Sequence, residues 1–150
     1  MSDIHIDEFY KDVAKIFLFL YLQFPKPVLI YVEDISGADV PDEFGLHSPR
    51  HNACFSAMLW MADSGYLRYV DTVRQEALDQ AVLTQKSFTL LTAKSELPHQ
   101  HPKIRDETLP PSVIEEYSSN IHQIRLALKS TSSVQIRQVV RYLLEESRRH

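Results

Sequence analysis

Apolar side chains recur at three- and four-residue steps near the start of the chain: Ile6, Phe9, Tyr10, Val13, Phe17, Leu20 and Phe24. That spacing predicts a helix over residues 5–24 with these residues on one face. Asp7, Glu8, Lys11, Asp12 and Lys15 take the other. Beyond Ile16 the pattern turns apolar all round, through Leu18, Phe19 and Leu22. A helix end of that kind is buried on several sides, or its extra face makes a dimer. Pro25 and Pro27 stop it. Val28 to Val32 is a short β-branched run and predicts a strand. Residues 34–48 carry Gly37, Pro41 and Gly45 among Asp34, Asp39, Asp42 and Glu43. This acidic stretch has room for one short helix at most.

A second helix is predicted over 49–64. Ser48 stands at its N-cap and Pro49 at its first turn. Cys54, Phe55, Ala57, Met58, Leu59, Met61 and Ala62 give it a wide apolar face, and Gly65 closes it. Tyr66 to Val70 and Ala77 to Leu83 favour strands, joined by the polar tip Asp71–Gln75, so a β-hairpin is expected. Thr84 then caps a helix over roughly 84–94, with Phe88, Leu90 and Leu91 apolar.

Residues 95–111 hold Pro98, Pro102, Pro110 and Pro111 and predict a linker. Ser112 and Glu115 suggest a capping box opening a helix over 112–129, whose Ile114, Tyr117, Ile121, Ile124 and Leu128 form a stripe. After Ser130–Ser133, with Ser132 and Gln135 as a second candidate box, a last helix over 133–148 carries Ile136, Val139, Val140, Leu143 and Leu144. These two helices predict an αα-hairpin. Their stripes fit packing against the rest of the chain, or pairing with a second copy through Ile121, Ile124 and Leu128; the length of the linker favours pairing.

The order helix, strand, turn, helix, hairpin, helix across residues 5–94 resembles a winged helix-turn-helix domain, as in small bacterial transcriptional regulators. Ala62-Asp63-Ser64-Gly65-Tyr66-Leu67 is similar to a recognition helix running into the first wing strand. Gly45-Leu46-His47-Ser48 is similar to the turn before that helix, and Val82-Leu83-Thr84 followed by Leu90-Leu91 to a wing strand entering a capped helix. The expected fold is therefore α+β and mostly α: a winged-helix domain at 1–94, a Pro-rich linker at 95–111 and a helical hairpin at 112–150. The resemblance implies a DNA-binding regulator that inserts the helix at 49–64 into the major groove and touches the backbone with the hairpin at 66–83. The expected contacts are Ser48, Arg50, His51, Asn52 and Ser56 at the helix start, Arg74 at the wing tip and Lys86 beside it. Arg can take guanine and Asn adenine.

Charge qualifies that expectation. The 150 residues carry 16 Lys and Arg against 20 Asp and Glu, a formal charge of −4, so a generally basic nucleic-acid coat is excluded. Residues 1–50 are the most acidic part. A winged-helix adaptor that binds a protein instead of DNA is the alternative, with Trp60 as its anchor; the same Trp also suits a core position. Cys54 is the lone cysteine, so no internal disulfide is possible, and its apolar neighbours suggest burial instead of reactivity. His47 and His51 lie one turn apart, yet no zinc-finger set of cysteines or acids accompanies them, so no metal and no cofactor are expected. No Gly-x-Ser-x-Gly, P-loop or dinucleotide motif is present, and no enzyme is expected. The longest apolar run, Ile16–Leu22, is far short of the roughly 20 residues of a membrane span. With no basic leader at the start, a cytoplasmic location is the expectation.

Overall fold

A computed structural model describes residues 3–97 and 118–149 of the chain. The architecture is α+β and mostly helical, with a small antiparallel sheet and a C-terminal helix pair. Helix α1 (Ile4–Gln23) runs through the centre. Val13, Ile16, Phe17 and Leu20 are fully buried, as their spacing requires. Strand β1 (Val28–Tyr31) follows the prolines and leads at once into α2 (Val32–Ser36), the one short helix that the acidic stretch accommodates.

Helix α3 (Pro49–Asp63) begins as its residues dictate: Ser48 Oγ accepts from the His51 N–H at 3.2 Å and Pro49 fills the first turn. It ends in a Schellman turn. Gly65 takes φ +84°, its N–H reaches the Ala62 carbonyl, and the Tyr66 N–H reaches the Met61 carbonyl at 2.8 Å. The turn throws the chain directly into β2 (Leu67–Arg68), β3 (Asp71–Val73) and β4 (Ala77–Leu83). β4 pairs with β1 along one edge and with β2 and β3 along the other, all antiparallel.

The hairpin differs from the sequence expectation in where it turns. Asp71 to Val73, expected at the tip, are strand paired to Ala77–Asp79, and the turn narrows to Arg74 and Gln75, both at positive φ. Every residue from Asp71 to Glu76 is exposed. β3 is exposed along its whole length and has no apolar alternation, so its residues read as loop. A bulge at Gln80, φ +55°, shifts the β1–β4 register between Val28 and Ile30.

Thr84 caps α4 (Gln85–Thr92), accepting from the Ser87 N–H and donating to the Gly65 carbonyl at 2.7 Å. The C-terminal pair is α5 (Asn120–Ser130) and α6 (Ser133–Arg148). Of the helix expected over 112–129, residues 112–117 lie outside the described residues, and the described helix is α5. Ser119 bridges Lys94 and caps α5 by accepting from the His122 N–H, so the helix starts there. The candidate box Ser112/Glu115 and residues 98–111 of the expected linker lie outside the described residues. Ser132 does cap α6, through the Gln135 N–H.

The hairpin is not a separate surface. Ile121, Ile124, Ala127, Ile136, Val139, Val140 and Leu143 join Val13, Phe17 and Leu20 of α1 in one buried cluster that also holds Met58, Leu83 and Leu91. The Tyr66 hydroxyl bonds Ser147 Oγ at 2.6 Å inside it. Pairing of two chains through Ile121, Ile124 and Leu128 is therefore corrected. The isoleucines are spent on the chain's own core, and Leu128 packs against it half-buried.

Candidate functional site

The surface to weigh is the outer side of α3 with the β3–β4 ribbon. Ser48 exists to cap α3 and is half-buried, so it is not a free contact. Arg50 is turned inward. Its guanidinium donates to both oxygens of Asp12 on α1, Nη1 to Oδ2 at 2.8 Å and Nη2 to Oδ1, and its Nε lies 3.5 Å from Glu8. Asp12, expected on the wet face of α1, has only 1% of its surface exposed. The hydrogen bonds that Arg50 donates to Asp12 raise its pKa further.

His51, also expected at the base edges, is 1% exposed. Its Nε2 lies 3.1 Å from the Gln75 carbonyl in the ribbon turn, and its ring stacks on His47 at 3.8 Å between centroids. The front of α3 is thus roofed by the loop before it and by the ribbon turn. That removes Arg50 and His51 from the DNA-contact set. Asn52, Ala53 and Ser56 remain exposed along α3, and Arg74 is exposed at the turn.

Lys86 sits elsewhere. It donates to the Ser64 carbonyl at 3.2 Å and lies 4.5 Å over the Tyr66 ring. Both partners are at the far end of α3, about 20 Å from its start at 1.5 Å per residue. Arg50, Arg74 and Lys86 do not make a continuous cationic stripe.

Trp60 answers both expectations at once. It packs edge-on to Phe9 at 5.1 Å, yet is 40% exposed. Other apolar side chains are offered to water nearby in sequence: Val70 and Val73 on the ribbon, and Val40, Phe44 and Leu46 on the loop between α2 and α3. That loop is built. Asp42 Oδ1 accepts from the Phe44 and Leu46 N–H groups, both at 2.9 Å, and the Asp42 N–H bonds the Leu46 carbonyl. The turn holds Phe44 outward at 78% exposure.

One cluster was hidden from sequence reasoning. Asp39, read only as part of an acidic stretch, lies with Oδ2 2.9 Å from His47 Nδ1 and 3.8 Å from His51 Nδ1. Hydrogen bonds from Ser48 hold its carboxyl below the usual carboxylate range, helped by His47. Glu76 Oε1 lies 3.5 Å from His47 Nε2. Nothing in residue spacing announces this set, because the loop and the ribbon turn meet only in the fold. Cys54 is buried beside Asp12, and desolvation pushes its thiol up to about 12, so it is no nucleophile at neutral pH.

No family model matches the chain, and no curated protein or solved structure does. Among the described residues no helix is long and apolar enough to cross a membrane.

Proposed function

We propose that the chain is a winged-helix interaction domain that binds another protein through α3, the ribbon and the loop before α3. The fold reading is supported by the element order, by α3 passing through a glycine turn straight into an antiparallel ribbon, and by the position of β4 between β1 and β2. The functional reading is carried by one observation: Arg50, the lysine- or arginine-type cation of α3, is committed to Asp12 and Glu8. The rest of the helix's outer side, Asn52, Ala53, Ser56 and Trp60, brings no positive charge to a phosphate backbone. Apolar groups held in water, above all Phe44 and Trp60, suit a protein partner with apolar pockets. Asp42 and Glu43 beside Phe44 favour a basic rim around such a pocket.

The test is capture with the full chain from extract of its source cells, with and without nuclease treatment, read by quantitative mass spectrometry. The proposal expects a stoichiometric partner that is lost with Phe44→Ser or Trp60→Ser and retained with Arg74→Ala. Capture that disappears on nuclease treatment overturns it, and so does capture indifferent to both apolar substitutions.

A second reading, binding of duplex DNA, has one observation in its favour: Asn52 and Ser56 are exposed on the helix beside the ribbon and Arg74 at its turn. It predicts an affinity that falls steeply with salt.

A further inference from the structure

We propose that Asp39, His47 and His51 form a binding site for a divalent transition-metal ion of the zinc class, joining the loop before α3 to the helix start under the ribbon turn. The three side chains offer one oxygen and two nitrogens, all within 4.8 Å of one another. On a tetrahedral zinc, two ligands at about 2.0–2.1 Å lie about 3.3–3.4 Å apart. The observed separations from Asp39 Oδ2, 2.9 Å to His47 Nδ1 and 3.8 Å to His51 Nδ1, bracket that value.

His51 supplies the independent sign. The Gln75 carbonyl can only accept, so the His51 Nε2 beside it carries the proton. In the neutral ring Nδ1 is then a bare lone pair, and that atom is buried with no hydrogen-bond partner. A buried imidazole nitrogen left unsatisfied 3.8 Å from a carboxylate is costly, and a cation held between them relieves that cost. The outer partners follow the pattern of metal-ligating histidines, whose second nitrogen is oriented by a carbonyl or carboxylate. His51 has the Gln75 carbonyl, and His47 has Glu76 facing its Nε2.

His47 Nδ1 carries a proton toward Asp39, since a carboxylate accepts. For Nδ1 to hold the ion, the ring must take the other tautomer, with its one proton on Nε2 where Glu76 faces it. The His47 and His51 rings are nearly parallel, 8° apart, so His47 must turn about its outer side-chain torsion to aim Nδ1 at the ion. It stands on the loop and is half-buried, whereas His51 is fixed by Gln75. Three protein ligands leave a fourth position for water.

The experiment is calorimetric titration of the full, tag-free chain with Zn²⁺ and with Co²⁺. The expected result is one ion per chain, with His47→Ala and Asp39→Asn each weakening binding at least about tenfold while circular dichroism stays that of the parent chain. Should either variant fail to fold, ring-nitrogen NMR of the unaltered chain decides: Co²⁺ must shift the His47 and His51 signals first. No binding, binding unchanged in both variants, or shifts confined to the other histidines would overturn the proposal.

Discussion

Removing Arg50 separates an inward structural role from an outward contact. Arg50→Ala leaves Asp12 as a buried carboxylate at 1% exposure, stripped of the guanidinium that bonds both its oxygens. Breaking a buried pair from one side costs about 3–5 kcal/mol. The Arg50 side chain is 31% exposed, so water can reach the vacated position, and the lower end, about 3 kcal/mol, is expected. The outer contact to Glu8, at 3.5 Å with both side chains about a third exposed, adds at most roughly 1 kcal/mol. With a urea m-value of about 1–3 kcal/mol/M, the midpoint falls by roughly 1–3 M. The informative comparison is Asp12→Ala combined with Arg50→Ala. Deleting the carboxylate removes the stranded charge, so the double variant must be more stable than Arg50→Ala alone, a coupling that neighbouring but independent residues do not show. Urea unfolding followed by circular dichroism at pH 7 reads all of these. An Arg50→Ala chain within about 0.5 kcal/mol of the parent, the size of an ordinary surface substitution, would refute the inward assignment.

Three further outcomes are expected. Ile124→Ala deletes a fully buried side chain shared by α5 and α1 and should cost about 2–5 kcal/mol, independent of protein concentration in urea unfolding; a concentration-dependent midpoint would return the stripe to a dimer interface. Cys54 keeps its proton in the folded chain to about pH 12 but loses it near 9 when unfolded, so the unfolded state binds fewer protons between those values and stability must fall as pH rises through that window; a flat pH profile by thermal denaturation, or rapid thiol labelling of the native chain at pH 7, would contradict this. Gln80→Gly relieves a left-handed residue at the β4 bulge and should raise stability by about 0.5–1 kcal/mol in the same unfolding assay, whereas Gln80→Val should lower it.

The elements were legible where local chemistry marks them. Ser48, Pro49 and Gly65 bound α3 because capping is a matter of neighbours in sequence, and the same holds for Thr84 and Ser132. The core face of α1 followed from its spacing. What escaped is non-local. Asp12 and Arg50 are 38 residues apart and each looks like a surface residue on its own helix. Asp39 meets His51 only because the loop folds back over the helix start. The stripe of α5 is equally apolar whether it faces α1 or another chain, and sequence carries no sign that chooses. β3 was hidden because none of its residues is buried, whereas the buried run of β4 was legible.

The sharpest measurement is fluorescence anisotropy of the full chain with a mixed-sequence pool of labelled duplexes at low salt, repeated as salt is raised. The account predicts no saturable complex, since the cation of α3 is bound to α1 and Arg74 stands at the ribbon turn two residues before the acidic Glu76. A saturable complex that weakens steeply with salt, and is lost on changing Asn52, Ser56 or Arg74, would contradict it and make α3 a reader of DNA.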